Sequence, residues 1–371
     1  MTKQLLFRFL LFFMPLAVFS QTFTQGNFTY KVTTGREVSV GSTSKTISTA
    51  TIPASVVNAG ITYTVSSIKD EGFSQCTRLT SVTIPNSITS IGVASFLFCT
   101  ALTTVSLPNS ITSIGMNAFS ASGLKSIVIP NSMTSIPERM FVECTALTSV
   151  TVPNSIVSIG ENTFGNCTSL SSIDIPSSVK TINDYAFFGC TGLTSITIPN
   201  SVSGIGLATF SNCSGLTSIT IPNSVISIGD FAFDGCSNLT AVIAQNPTPV
   251  TISANVFNGV TISNIPLTVP VGSEASYKAA SVWKNFKLIA TLSTSLFEKN
   301  NKIAAYPNPS TGIFNIQTQE NTNVEVFDAL GRKIKSQKNI VETSQLDLSE
   351  FNSGIYLLKT ANGGITKLIK K

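Results

Sequence analysis

Residues 193–215 read LTSITIPNSVSGIGLATFSNCSG, and the same frame recurs, lightly edited, through the middle of the chain. Its leucine returns at Leu79, Leu102, Leu124, Leu147, Leu170, Leu193, Leu216 and Leu239. Its proline returns at Pro85, Pro108, Pro130, Pro153, Pro176, Pro199 and Pro222, and its phenylalanine at Phe73, Phe96, Phe119, Phe141, Phe164, Phe187, Phe210 and Phe233. The leucines stand 23 residues apart, except for one 22-residue step from Leu102 to Leu124. A fixed period in the twenties specifies a solenoid, because one such unit can bury its apolar face only on its neighbours. The expected fold is mainly β: coils of about 23 residues, with parallel strands and short helical or 3-10 turns.

Each part of the unit has a physical reading. The β-branched run from Leu193 to Pro199 reads as a strand, with Leu193, Ile196 and Ile198 inward and Ser195 and Thr197 outward. Pro199 withholds a donor and Asn200 suits a corner. Val202 and Ile205 re-enter the core in a second short extended piece. Phe210 and Cys213 then share one face of a single turn. The glycine before that turn recurs at Gly92, Gly115, Gly160, Gly206 and Gly229, but Asn183 and Pro137 replace it once each. Asparagine suits a positive φ and proline does not, so either a left-handed backbone or close packing explains the glycine.

Cys76, Cys99, Cys144, Cys167, Cys190, Cys213 and Cys236 all occupy one position of the unit. Cysteines in an exported chain invite disulfides. Equivalent rungs instead predict a ladder of free, buried thiols serving as small apolar side chains, with neighbour pairing as the alternative. The unit at 120–123 lacks one residue and its cysteine.

The flanks differ from the array. Residues 1–20, MTKQLLFRFLLFFMPLAVFS, read as a cleaved secretory signal peptide; the apolar run is too short to span a bilayer and is interrupted by Arg8 and Pro15. No later segment is long and apolar enough to span, so no membrane span is expected in the mature form. Residues 21–64 form an N-terminal β cap with a degenerate first repeat, since TIPASV at 51–56 echoes the frame before an insertion. The repeats proper occupy 65–243, and 244–290 hold a degenerate last repeat and a C-terminal cap. In that cap Ser273 reads as a helix N-cap, and Trp283 with Phe286 as a lid on the last coil, a ligand-stacking tryptophan being the alternative. A polar linker at 291–303 leads to alternating strands at 304–371, a small β-sandwich.

The chain carries +5 overall, yet residues 65–243 hold five basic and nine acidic residues. That mildly acidic array has no basic stripe for phosphates, which argues against nucleic acid. The absence of histidine excludes Ser-His-Asp and Cys-His centres and histidine metal ligands. No cysteines lie close enough for a CxxC zinc site, and the acidic residues are scattered; Asp230 and Asp234 read as solvated corner charges. No catalytic residue, metal ligand or cofactor is expected, and a non-catalytic binding protein is.

The frame L-T-x-[IV]-x-I-P-N-S-[IV]-x-x-I-G-x-x-[AT]-F-x-x-C resembles the BspA-like leucine-rich repeat of bacterial surface proteins, over about residues 45–290. The YPNP opening at 306–309, DALGR at 328–332 and GIY at 354–356 resemble a type A C-terminal sorting domain of the type IX secretion system. Those resemblances imply a leucine-rich-repeat solenoid that is exported by the type IX machinery through residues 304–371. They also imply outer-membrane surface display or release, and adhesion to an extracellular, matrix or plasma protein. An accessory β-domain is the plain alternative for the tail.

The candidate partner-binding face is the outward side of the strands. It comprises Ser81 and Thr83, Thr104 and Ser106, Ser149 and Thr151, Ser172 and Asp174, Ser195 and Thr197, and Ser218 and Thr220. Val128, paired with Ser126, and Asp174 break this ladder of hydroxyls. The face reads as an ordinary exposed sheet, as a surface for a protein or glycan, or, remotely, as an ice-ordering array.

Overall fold

Leu193, Ile196, Ile198, Val202, Ile205, Phe210 and Cys213 are all buried, and their equivalents in successive units join one core running from Tyr30 to Phe286. The computed structural model describes residues 21–292, 303–318, 322–328, 332–340, 343–360 and 365–371. The signal peptide read at 1–20 and most of the linker read at 291–303 lie outside the described residues. The chain divides into two compact units on either side of the Ala290–Thr291 bond.

In the first unit each coil has three sides. The first carries strands in parallel, such as Ser126–Val128 against Ser149–Thr151 and Ser218–Ile221 against Ala241–Ala244, in 23-residue register. Thr49–Thr51 pairs with Ser81–Thr83 in the same way, which makes the TIP at 51–53 an early copy of the frame. The second side is a more continuous ladder, although each strand is short: Ser135–Ile136, Ser158–Ile159, Thr181–Ile182, Gly204–Ile205 and Ser227–Ile228 pair in order.

The third side is an arc of turns. The Cys213 N–H donates to the Phe210 carbonyl at 3.1 Å, a 3-10-type bond. Left-handed residues at Ala208 (φ 49) and Asn212 (φ 59) keep such turns from merging into a helix. The alternation aims every second N–H along the solenoid axis. Ala94, Phe96 and Phe98 donate to the carbonyls of Met116, Ala118 and Ser120 at 2.9, 2.8 and 3.0 Å, and later coils repeat the pattern. The glycine ahead of the arc is not left-handed. A Cβ on Gly229 would come within 2.6 Å of the Leu207 backbone nitrogen, so close packing on the preceding coil selects it.

The arc's phenylalanines form a nine-ring stack from Phe73 to Phe257, with centroids 5.2–6.1 Å apart and planes within 16° of parallel. Phe28 closes one end edge-on at 6.3 Å, and Phe286 the other at 5.4 Å. The cysteines beside them are free and buried. They do more than fill space: Cys167, Cys190 and Cys213 each donate to the preceding unit's phenylalanine carbonyl at 3.1 Å. Ser122 takes the cysteine's place in the shortened unit, 3.4 Å from the Cys144 sulfur.

One seam interrupts the second side. Its ladder stops at Ser113–Ile114 and restarts at Ser135–Ile136, whereas the first side lacks strand both at 103–107 and at 171–176 and keeps the Lys125 N–H bond to the Thr103 carbonyl at 2.9 Å. Two features of the sequence converge there. The 22-residue step precedes it, and Pro137 lacks the N–H that Gly115 and Gly160 donate backward to Ile91 and Ile136 at 2.8 and 2.9 Å. The arc still crosses the seam, with Phe119 donating to Met140 at 3.0 Å, but the Phe119–Phe141 spacing is the widest in the stack, 6.1 Å.

The caps close both ends. Thr22–Gln25, Phe28–Val32 and Glu37–Ser42 form an antiparallel meander, whose last strand runs parallel to Ile61–Ile68. Ser42 N–H and the Lys45 ammonium donate to the first coil's Gly72 and Ser74 carbonyls at 2.8 and 2.5 Å. At the far end lies the helix Glu274–Ala279. Ser273 does not cap it through its side chain, contrary to expectation, because its backbone is already helical (φ −93°, ψ −7°). Trp283 is 1% exposed and donates to the Val250 carbonyl at 2.7 Å, which makes it a lid and removes the stacking alternative.

The second unit has two antiparallel sheets around Phe314, Ile316, Val324, Val326, Leu346 and Leu358. The turns at 306–309 and 328–332 are polar knots. Asn308 donates to Lys367 O at 2.6 Å and accepts from Ile369 N–H at 2.9 Å, and the Asp328 carboxylate accepts from Arg332 Nε at 2.7 Å.

Two outcomes are expected. Phe164→Ala, in mid-stack, should cost about 3–5 kcal/mol in a denaturant titration, whereas Phe98→Ala, on the exposed edge of the arc, should cost under about 1 kcal/mol. Burial pushes the Cys99, Cys190 and Cys236 thiols up to about 12. The folded chain therefore holds protons that the unfolded chain releases between about pH 9 and 12. Stability should be intact below pH 8 and fall above 9, by up to about 1.4 kcal/mol per thiol per pH unit. Native protein should resist alkylation at pH 8, and denatured, unreduced protein should give all seven thiols.

Candidate binding surface

The candidate face follows from strand alternation: Ile127 and Val150 enter the core, so Ser126, Val128, Ser149 and Thr151 face out in register. Ser81, Thr83, Thr104, Ser106, Ser149, Thr151, Ser172, Asp174, Ser195, Thr197 and Ser218 are exposed, and Thr220 is half-buried beside Thr197. The rows are not one sheet. Thr104 and Ser106, and Ser172 and Asp174, stand outside any strand, and beyond Ser218 and Thr220 the next rung is Ala241 and Ile243.

A division among the hydroxyls was not readable from residue type. In several coils the threonine after the leucine is spent on the fold: Thr148, Thr194, Thr217 and Thr240 donate to Lys125, Ser171, Thr194 and Thr217 carbonyls at 3.0–3.3 Å. Among the described residues, no hydroxyl of the twelve-residue candidate face makes an intrachain hydrogen bond. Those groups are open to a partner.

The acidic pair separates. Asp230 accepts from the Ser253 hydroxyl at 2.5 Å, while Asp234 accepts from Ser211 Oγ at 3.2 Å and Asn258 Nδ2 at 2.8 Å. Both tie coils together, so they are bonded corner charges and not merely solvated ones. Among the described residues, no group of three acidic or cysteine side chains is placed to hold a metal.

Two surfaces were missed. The second side presents Thr89, Thr112 and Thr134 outward, with Ile226 78% exposed among them. A hollow of about 830 Å³ also opens across the seam, lined in part by Ser106, Leu107, Asn109, Val128, Asn131 and Thr151. The 22-residue step and the valine in a hydroxyl row were the visible signals for it.

The family model described as the BspA type leucine-rich repeat region, in six copies, matches residues 66–187 and 157–278. A model described as a secretion system C-terminal sorting domain matches residues 304–371. No curated protein matches the chain. Among solved structures, a leucine-rich repeat protein from Bacteroides ovatus is 26% identical, covering 73% of this chain and 76% of that one with a TM-score of 0.54. A leucine-rich repeat protein from T. pallidum is 26% identical over 57% of this chain and 88% of its own, with a TM-score of 0.42.

Substituting lysine for the free hydroxyls should leave the fold alone. Thr151→Lys and Thr197→Lys should each shift the unfolding midpoint by no more than about 0.5 kcal/mol, since neither side chain is buried or bonded.

Proposed function

From a chain that belongs to the BspA-type leucine-rich repeat family, we propose a non-catalytic adhesin that holds an extracellular protein against the outward strand face. Its sorting domain makes it a protein that is secreted or held at the outer-membrane surface and handled by the type IX machinery. No helix among the described residues is long and apolar enough to cross a membrane. The observation that carries the adhesion reading is the division of labour among hydroxyls: the threonine after the leucine is committed to the fold in several coils, and the outward serines and threonines are left unbonded. A broad, nearly neutral surface of this kind suits extended contact with a partner, since solenoid faces add contacts coil by coil.

A non-catalytic role also accords with the chemistry present. The most nucleophilic groups, the thiols, are held protonated by burial, and the chain has no histidine to act as a base near neutral pH.

Mature full-length protein, immobilised, should retain specific proteins from an extracellular-matrix extract. A variant with Thr151→Lys, Thr197→Lys and Thr220→Lys should lose them. Retention of every partner by the folded variant would remove the strand face from the account. Deletion of 304–371 should trap the chain inside the outer membrane, and normal display of that truncation would contradict the sorting role.

A further inference from the structure

We propose that the hollow at the seam is a separate binding site for a neutral, unbranched oligosaccharide. Its location is the first argument. Three departures from the frame meet here: the lost residue after Ser122, Pro137 in place of a donor glycine, and Val128 in a row of hydroxyls. The first two coincide with the break in the second-side ladder, and the third makes the floor apolar. Three of the chain's five methionines lie in the same two coils: Met133 and Met140 are buried there as flexible core fillers, and Met116 is exposed.

The chemistry of the lining is the second argument. Leu107, Val128 and Val152 give an aliphatic floor, with Val128 62% exposed. Asn109, Asn131 and Asn154 line one rim, at one amide per coil. The Asn131 backbone N–H donates to Asn109 Oδ1 at 3.1 Å, which fixes that amide and leaves its NH2 to donate outward. Ser106 and Thr151 add unbonded hydroxyls. No charged residue lines the hollow. A charged ligand would lose hydration there without a counter-charge, so the site selects against polyanions. A sugar ring has the complementary pattern, with a C–H face for the floor and hydroxyl edges for the amides. Rungs spaced at the strand separation of about 4.8 Å match one hexose per coil in an extended β-linked chain. The volume of about 830 Å³ lies within the usual range for small-ligand sites.

This site goes beyond the protein-binding strand face and shares with it only Ser106 and Thr151. Isothermal titration of the full mature chain with cellohexaose and mannohexaose, and with an oligogalacturonate as the acidic control, tests it. At least one neutral hexamer should bind and the acidic oligomer should not. Val128→Lys and Asn131→Ala should each weaken binding at least tenfold, and Thr197→Lys, away from the seam, should leave it unchanged. A period-restoring variant, with one threonine inserted after Ser122 together with Ser122→Cys and Pro137→Gly, should lose binding at least tenfold while melting no lower than wild type. That variant guards against misfolding of the two point variants. Absence of neutral-hexamer binding, equal binding of the acidic oligomer, or retention within threefold in all three seam variants would overturn the proposal. Matrix-protein capture that persists in Val128→Lys while sugar binding is lost would support two sites, because failure of one reading leaves the other measurable.

Discussion

The forward-pointing amides of the turn arc are the interaction on which the solenoid rests. In each coil, alternate residues of the arc donate to the next coil, as Phe164 does to Ala186 at 2.9 Å, while the second-side strands donate backward, as Gly160 does to Ile136. The arc geometry demands two left-handed residues per coil, and outside the last coils these are seldom glycine: Asn162 and Asn166, Ala208 and Asn212. Each costs about 1–2 kcal/mol, and no isolated unit recovers it, because the bonds and the buried ring that offset it belong to neighbours. The cap follows from the same fact. Lys45 sits on the carbonyl that the first arc leaves open.

The same interaction explains why the seam is tolerated. Loss of one residue and of one N–H parts the second-side ladder, yet the Lys125 N–H bond to Thr103, the arc bonds of Phe119 and Ala121 and the ring stack continue across. A solenoid joined on three sides can give up one locally without dividing. What it gains is concavity, and with it a place where a side chain such as Val128 can serve something other than packing. The face and the hollow thus have different origins: strict repetition yields the neutral hydroxyl rows, and a departure from it yields the site with shape.

Much of this was legible from periodicity. Leu193, Ile196, Ile198, Val202, Ile205, Phe210 and Cys213 were assignable to the core, and Ser195 and Thr197 to the outside, because alternation in a strand leaves no other choice. What escaped were facts about the third dimension. That Gly229 is required by the Leu207 backbone, and not by its own φ, depends on how near the previous coil lies. The cysteine's hydrogen bond to a carbonyl in the preceding unit could not be separated from simple apolar burial. Pro137 stands out in the sequence, but its consequence depends on the replaced glycine donating across coils. The ligand stayed unread for the plainest reason, since repetition accounts for nearly every residue of the unit without it.

Native-state hydrogen exchange, resolved by residue, tests the central claim that the arc holds the coils together while the strands yield at the seam. The arc amides of Phe96, Phe119, Phe164 and Phe210 should form the slowest-exchanging class and be protected alike on both sides of residues 113–136. The second-side amides at 134–136 should exchange faster than their equivalents at 157–159 and 226–228. Protection of the seam strands equal to that of the distant ones, or early exchange of the arc throughout, would contradict the account.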